Sequence, residues 1–249
     1  MKDRVVLITG GTSGIGLETV RRFAAEGCRV ATCARKPFDF EELLGKELAE
    51  RILFRTLDVA VTSDLINWID QVTAESGRLD VFVNNSAAVV RKPLVEFSSE
   101  EVQRSLDVNL RALLEGTRAA IERFDPQRGG TLVNLSSMAA VDPFEGFSVY
   151  GACKAFVELF TRAVASEVAP RGIRCFAVRA GAVETPLLRR VLPDYPEASA
   201  LDPSCVGRLI FDLCTETTGH LSGDSIEISS ETPEGIAAFS TRTFCEDRS

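Results

Sequence analysis

The sequence predicts a single α/β domain built on a doubly wound parallel sheet. Three observations carry that prediction. Short apolar runs alternate with amphipathic stretches of helical period over most of the 249 residues, the pattern of strands joined by crossover helices. A glycine-rich turn follows the first apolar run. Runs such as Leu79 to Val83 are also too continuously apolar for a sheet with one wet face.

The elements follow in order. Val5 to Thr9 reads as a buried first strand, and Ile15 to Ala25 as a helix that Gly27 stops. Arg29 to Cys33 is the second strand, and 37–50 a short charged connection with some helical character. Ile52 to Leu57 is the third strand, with a turn at Asp58. Residues 62–75 form a helix through Leu65, Trp68, Ile69 and Val72. After the fourth strand, Leu79 to Val83, Ser98 and Glu101 make a capping box for a long helix reaching about Phe124. Thr131 to Leu135 is a strand, Tyr150 to Val168 a helix closed by Pro170 and Gly172, and Arg174 to Val178 a strand. A proline-rich stretch over 186–203 precedes a helix at about 204–215 and a last strand at Ser225 to Ile228. Residues 231–249 are polar and broken and read as an irregular tail.

Composition narrows the function. A net charge of −8 disfavours a nonspecific hold on nucleic-acid phosphates, so bound phosphates must be held locally by backbone amides and a few arginines. No run approaches the roughly 18 apolar residues of a membrane helix. The amino-terminal residues read as lacking a cleavable hydrophobic segment. Seven cysteines without a CxxC pattern fit reduced thiols, and a cytoplasmic setting is expected. One histidine, His220, leaves the usual zinc ligand sets unfilled, and no metal is expected.

The glycine turn spans Gly10, Gly11, Thr12, Ser13, Gly14, Ile15 and Gly16, between the first strand and the first helix. Glycine permits positive φ and close backbone approach, and a helix start offers free amides to a pyrophosphate. Glycines alone could simply make a tight turn. Their place after the first strand points to a dinucleotide.

Tyr150 and Lys154 are four positions apart at the start of a helix, which puts both on one face. An ammonium beside a phenol favours phenolate and so eases proton exchange, although the pair taken alone more often only packs or lies on a surface. Ser137 follows an apolar strand and is expected at the carboxyl edge of the sheet, where ligands of such sheets bind. Ser136 reads as structural.

With these motifs in order, the sequence resembles the classical short-chain dehydrogenase/reductase family over nearly all of residues 4–230. Thr9, Gly10, Gly14 and Gly16 match its glycine motif, Asp58 and Val59 its adenine-contacting pair, and Asn84, Asn85, Ser86 and Ala87 its asparagine-asparagine-alanine-glycine element. Ser86 and Ala87 depart from that element but stay small. Taken as residues only, Asn84 and Asn85 could be strand-end caps. The resemblance implies a seven-stranded Rossmann-type domain that binds NAD or NADP. It assigns Ser137, Tyr150 and Lys154 as catalytic, with Lys154 lowering the Tyr150 pKa and holding the nicotinamide ribose. Asn109 is implied as a fourth catalytic residue supporting a water-linked relay, although a mid-helix asparagine could also just face solvent. Gly181, Val183 and Thr185 match the segment beside the nicotinamide, with Ala180 in place of the family's proline. The resemblance also implies a homodimer or homotetramer formed through the helices at 98–124 and 150–168.

The activity expected is hydride transfer between NADP(H) and a ketone or secondary alcohol, as a carbonyl reductase. A catalytically idle nucleotide sensor is the alternative. Residues 186–203, with Leu187, Leu188, Val191, Leu192 and Tyr195, are expected to cover an apolar substrate, or else only to pack a surface helix. Phe144, Glu145 and Phe147 are further pocket-wall candidates, and Arg189 and Arg190 either attract a carboxylate or pair on a solvated face. NADP(H) is preferred over NAD(H) because the second strand ends in Ala34 and Arg35, where an acid would otherwise hold the free ribose. Arg35 supplies a fork for a 2′-phosphate. Asp39 or Glu41 folding back onto the ribose is the competing arrangement.

Overall fold

A computed structural model of the chain describes residues 1–126, 128–215 and 219–229, together with the backbone of 236–239. Seven strands run parallel: β1 (Val5–Thr9), β2 (Arg29–Ala34), β3 (Ile52–Thr56), β4 (Val81–Asn84), β5 (Gly130–Ser137), β6 (Ile173–Ala180) and β7 (Ser225–Ile228). Their order is β3-β2-β1-β4-β5-β6-β7, the Rossmann-type arrangement. An eighth strand, β8 (Ile236–Phe239), pairs antiparallel with β7. Four residues of the stretch read as an irregular tail are thus extended. The edge of β7 supplies unpaired backbone groups for them, which no local pattern announces. The rest of 231–249 lies outside the described residues.

The helices are α1 (Gly14–Ala25), α2 (Phe40–Leu44), α3 (Lys46–Ala49), α4 (Thr62–Ser76), α5 (Ser99–Leu106), α6 (Ala112–Arg123), α7 (Ser148–Val168), α8 (Pro186–Val191) and α9 (Pro203–Cys214). Alternate side chains of the strands feed two cores. Val6, Ile8, Val83 and Val178 meet Val20, Phe23, Val206 and Ile210 of α1 and α9 on one face. Val5, Leu7, Phe82 and Leu132 meet Leu65, Trp68, Ile69 and Val164 of α4 and α7 on the other. Each such buried side chain contributes about 1.5–3 kcal/mol.

Two local features matter. The connection at 37–50 folds as α2 and α3, with the Asp39 carboxylate capping α2 through the amides of Glu41 and Glu42 at 2.9 and 3.0 Å. The long helix starts with the expected Ser98–Glu101 capping box but is interrupted by a π-helical turn, Asp107–Arg111. No helix among the described residues is long and apolar enough to cross a membrane.

Strand order reverses direction between β1 and β4, so Thr9 and Asn84 end side by side. In open α/β sheets that crevice is where ligands enter.

Candidate active site

The glycine turn is shaped by space. A Cβ on Gly16 would lie 2.1 Å from the Gly10 carbonyl oxygen, and one on Gly14, whose φ is +52°, would lie 2.6 Å from the Thr185 methyl. Only glycine lets the turn close this tightly. Ser13 stands at the N-cap of α1 without its hydroxyl capping the helix, which leaves the first amides open to an anion. Thr12 and Ile15 are partly exposed on the same turn. These features fit a dinucleotide pyrophosphate.

The end of β4 holds this turn. Asn85 donates from Nδ2 to the carbonyls of Thr9 at 2.8 Å and Gly10 at 3.1 Å. The Thr9 hydroxyl in turn accepts from the amides of Asn85 and Ser86, each at 3.0 Å. Asn84 points the other way, donating to Asn134 Oδ1 at 2.8 Å and to Thr117 Oγ1 at 3.0 Å inside the core. The two asparagines therefore act as clamps, one on the glycine turn and one on the sheet. Ser86 and Ala87 are partly exposed beside the turn, and Val59 is buried.

Asp58 accepts a fork from Arg104 of α5, at 2.9 Å from Nη1 and 3.1 Å from Nη2, and also binds the Ala60 amide. Burial works to raise its carboxyl. The hydrogen bonds from Arg104 and Ala60 and the charges of Arg104 and Arg35 outweigh that and hold it below its ordinary value. Arg35 itself is exposed just beyond β2. Asp39 caps α2 through its Oδ1.

At the carboxyl end of β5, three consecutive residues engage α7. The Leu135 carbonyl accepts from Lys154 Nζ at 2.5 Å. Ser136 Oγ lies 2.9 Å from Glu158 Oε1 and 3.2 Å from the Lys154 carbonyl. Ser137 accepts from the Ala139 amide at 3.2 Å and stands near enough to the Tyr150 phenol to favour its ionised form. Lys154 Nζ also stands 5.6 Å from the centre of the Tyr150 ring.

Burial sets the protonation states. It pushes the Tyr150 phenol up to about 12, with Ser137 acting in the lowering direction. It pulls Lys154 from 10.5 down to about 8. Burial dominates the Tyr150 shift, and the Lys154 ammonium donates one of its hydrogen bonds to the Leu135 carbonyl.

Asn109 is buried in the π-helical turn rather than facing solvent. Its Nδ2 donates to the carbonyls of Ala88 at 2.8 Å and Ser105 at 2.9 Å, and its Oδ1 accepts from the Ala88 amide at 3.2 Å. A small pocket lined by Thr9, Asn84, Ser86, Asn109, Leu135 and Lys154 brings it to the same space as the lysine. Such π-turns recur at functional sites because they re-aim a side chain.

The segment after β6 returns to the glycine turn. Gly181 N–H binds the Ile228 carbonyl at 2.9 Å, and buried Val183 bridges to Leu201. Thr185 caps α8 by accepting from Leu188 N–H at 3.1 Å, with its methyl against Gly14. Arg189 forks onto Glu184 and donates to the Tyr195 carbonyl at 2.6 Å, so it staples the loop instead of awaiting a carboxylate. Leu188 is buried. An aromatic row approaches the site from solvent. The exposed ring of Phe144 lies 6.4 Å from that of Phe147, which lies 6.2 Å from Tyr150.

Sequence reasoning missed Arg104 and the Thr9 hydroxyl. It also missed the buried group formed by Glu158 of α7 and Arg179 of β6. A signal existed for the last, since a charge in each of two otherwise apolar stretches is unusual. Nothing in the sequence pairs Arg104 with Asp58.

An open parallel sheet with a glycine turn at its crevice and polar side chains gathered at its carboxyl edge defines the class of nucleotide-binding α/β proteins. Within that class the chain belongs to the short-chain dehydrogenase/reductase family, whose short chain dehydrogenase profile matches residues 4–196. It is 36% identical over 217 residues to cyclopentanol dehydrogenase of Comamonas sp., covering 84% of each chain. It is 35% identical to 3beta-hydroxysteroid dehydrogenase 1 of Eggerthella lenta, covering 80% of this chain and 78% of the relative. Among solved structures, 3-ketoacyl-(acyl-carrier-protein) reductase of Brucella melitensis complexed with NADH matches with a TM-score of 0.81 at 28% identity, covering 89% of this chain and 95% of that one. The chain is accordingly an oxidoreductase of the alcohol–ketone type whose family uses NAD(H) or NADP(H).

Proposed function

We propose that this protein is a carbonyl reductase that uses NADP(H) in preference to NAD(H) and acts on alicyclic ketones and the matching secondary alcohols. The placement of Ser137 near Tyr150 at the carboxyl end of β5, with Lys154 Nζ 5.6 Å from the Tyr150 ring, carries this reading. The names of two relatives, a cyclopentanol and a hydroxysteroid dehydrogenase, support the substrate class. The aromatic row of Phe144 and Phe147 offers an apolar approach suited to a ring.

The dinucleotide is held by Gly10, Thr12, Ser13, Gly14, Ile15 and Gly16 at its phosphates and by Asp58 and Val59 at the adenine. Asn85, Ser86, Ala87, Tyr150, Lys154, Gly181, Val183 and Thr185 lie along the remainder, and Arg35 reads a 2′-phosphate. When bound, the nicotinamide supplies or accepts the hydride. Ser137 and Tyr150 hold the substrate oxygen. A phenol pushed up to about 12 is protonated at neutral pH, the form that donates, so Tyr150 gives its proton to the oxygen during reduction. Lys154 holds the ribose and, with Asn109 across the shared pocket, returns a proton to Tyr150 from solvent.

The apolar side of α7, with Leu159 63% exposed and Phe156 stacked on Phe160, is the face through which we expect a homodimer or homotetramer. Six buried free thiols among the described residues suit a reducing compartment such as the cytoplasm. The decisive experiment is reduction of cyclopentanone and of a 3-ketosteroid by the full chain with NADPH and with NADH. Turnover with NADPH at the lower KM is expected. Cofactor binding without turnover on a wider ketone panel would instead mark a nucleotide sensor.

A further inference from the structure

Behind the tyrosine and lysine lies a buried ion pair that proton transfer does not use. Arg179 of β6 donates to Glu158 of α7 through Nε at 2.8 Å and Nη2 at 2.6 Å, and through Nη1 to Glu227 of β7 at 3.3 Å. Both members of the main pair are only 7% exposed. Ser136, Arg179 and Glu227 are direct partners across β5, β6 and β7, so the three strands deliver one polar row to the underside of α7.

Placing these charges there is costly. Withdrawing two ions from water is repaid only by good geometry, and an apolar pair of similar volume often serves stability as well. The neighbours of Arg179 in β6 are Cys175, Phe176, Ala177, Val178 and Ala180, all buried and apolar. What a two-bond fork supplies and an apolar contact does not is direction. Apolar side chains let a helix slide along its axis, whereas Glu158 can meet both donors of Arg179 and the Ser136 hydroxyl at one position only.

Tyr150, Lys154 and Glu158 follow one another at four-residue steps, so they share a face of α7. Fixing Glu158 therefore fixes the height of the other two against β5. Ser136, which contacts both Glu158 and the Lys154 carbonyl, sits between Leu135, the acceptor of the Lys154 ammonium, and Ser137, the neighbour of Tyr150. We propose that Arg179 and Glu158, acting through Ser136, are positioning residues that set the register of α7 on β5 and thereby the bond of Lys154 to Leu135 and the placement of Tyr150 beside Ser137. The proposal rests on the catalytic reading of Ser137, Tyr150 and Lys154 given above.

The test uses the full chain and four variants: Arg179→Met combined with Glu158→Met, Ser136→Ala, Arg179→Lys, and Tyr150→Phe as a reference. The measurements are kcat and KM for cyclopentanone reduction, cofactor Kd by fluorescence, and thermal melting. A displacement of about 1 Å at a reacting group costs up to about a hundredfold. The double variant should stay folded, keep cofactor Kd within about twofold, and lose roughly ten- to a hundredfold in kcat with little change in KM. Ser136→Ala should lose a smaller factor of kcat in the same pattern. Arg179→Lys, which keeps the charge but not the fork, should fall between the double variant and the parent. A folded double variant with parental kcat overturns the proposal. If the double variant does not fold, parental kcat in Ser136→Ala overturns it. Loss of turnover in Tyr150→Phe alongside either result confines the failure to the positioning role, whereas normal turnover in Tyr150→Phe overturns the reading of the site and the positioning role with it.

Discussion

Lys154 directs its ammonium at the carbonyl oxygen of Leu135, 2.5 Å away, from a site where burial has lowered its pKa to about 8. The charge is therefore lost as pH rises through about 8, and the alkaline limb of kcat/KM for ketone reduction should fall near that value. The stability effect has a definite sign. Between about 8 and 10.5 the unfolded chain holds a proton on this lysine that the folded chain has released, so the folded state gains stability with rising pH there. Melting curves of the parent and of Lys154→Met across that interval should show the parent gaining on the variant. A constant difference would mean that the lysine is not desolvated.

Tyr150→Phe should lose at least about a hundredfold in turnover while cofactor affinity changes by no more than a few-fold, the usual worth of a positioned acid. The ring still packs on Phe147, so the fold is retained. Near-normal turnover on the same preparation would remove Tyr150 from proton transfer.

Arg35→Ala should raise the KM for NADPH by about tenfold and leave that for NADH nearly unchanged, because a charged hydrogen bond to a 2′-phosphate is lost in one case only. Equal changes for both cofactors, or a parent that favours NADH, would show that Arg35 does not read the phosphate.

Leu188→Ala should act on stability and not on substrate choice. The side chain is 9% exposed, so its truncation should cost about 2 kcal/mol and lower the melting temperature. A size-graded ketone panel should be handled in the same order as by the parent. A changed order with unchanged melting would return Leu188 to the substrate face.

The sequence by itself determined the alternation of strands and helices, the glycine turn, and the spacing of Ser137, Tyr150 and Lys154. Each of these is written in local chemistry: apolar period, residues that tolerate positive φ, and side chains one helical turn apart. It did not determine the eighth strand, the π-helical turn that buries Asn109, the fork of Arg104 on Asp58, or the burial of Leu188. Nor did it determine the protonation of Tyr150 and Lys154, which follows from how much water the packed elements exclude. It also left unseen that Glu158 and Arg179, 21 residues apart, meet beneath α7. Those outcomes depend on which distant groups the sheet order brings together, and pairing energy and desolvation are properties of the assembled neighbourhood, not of any residue within its own segment.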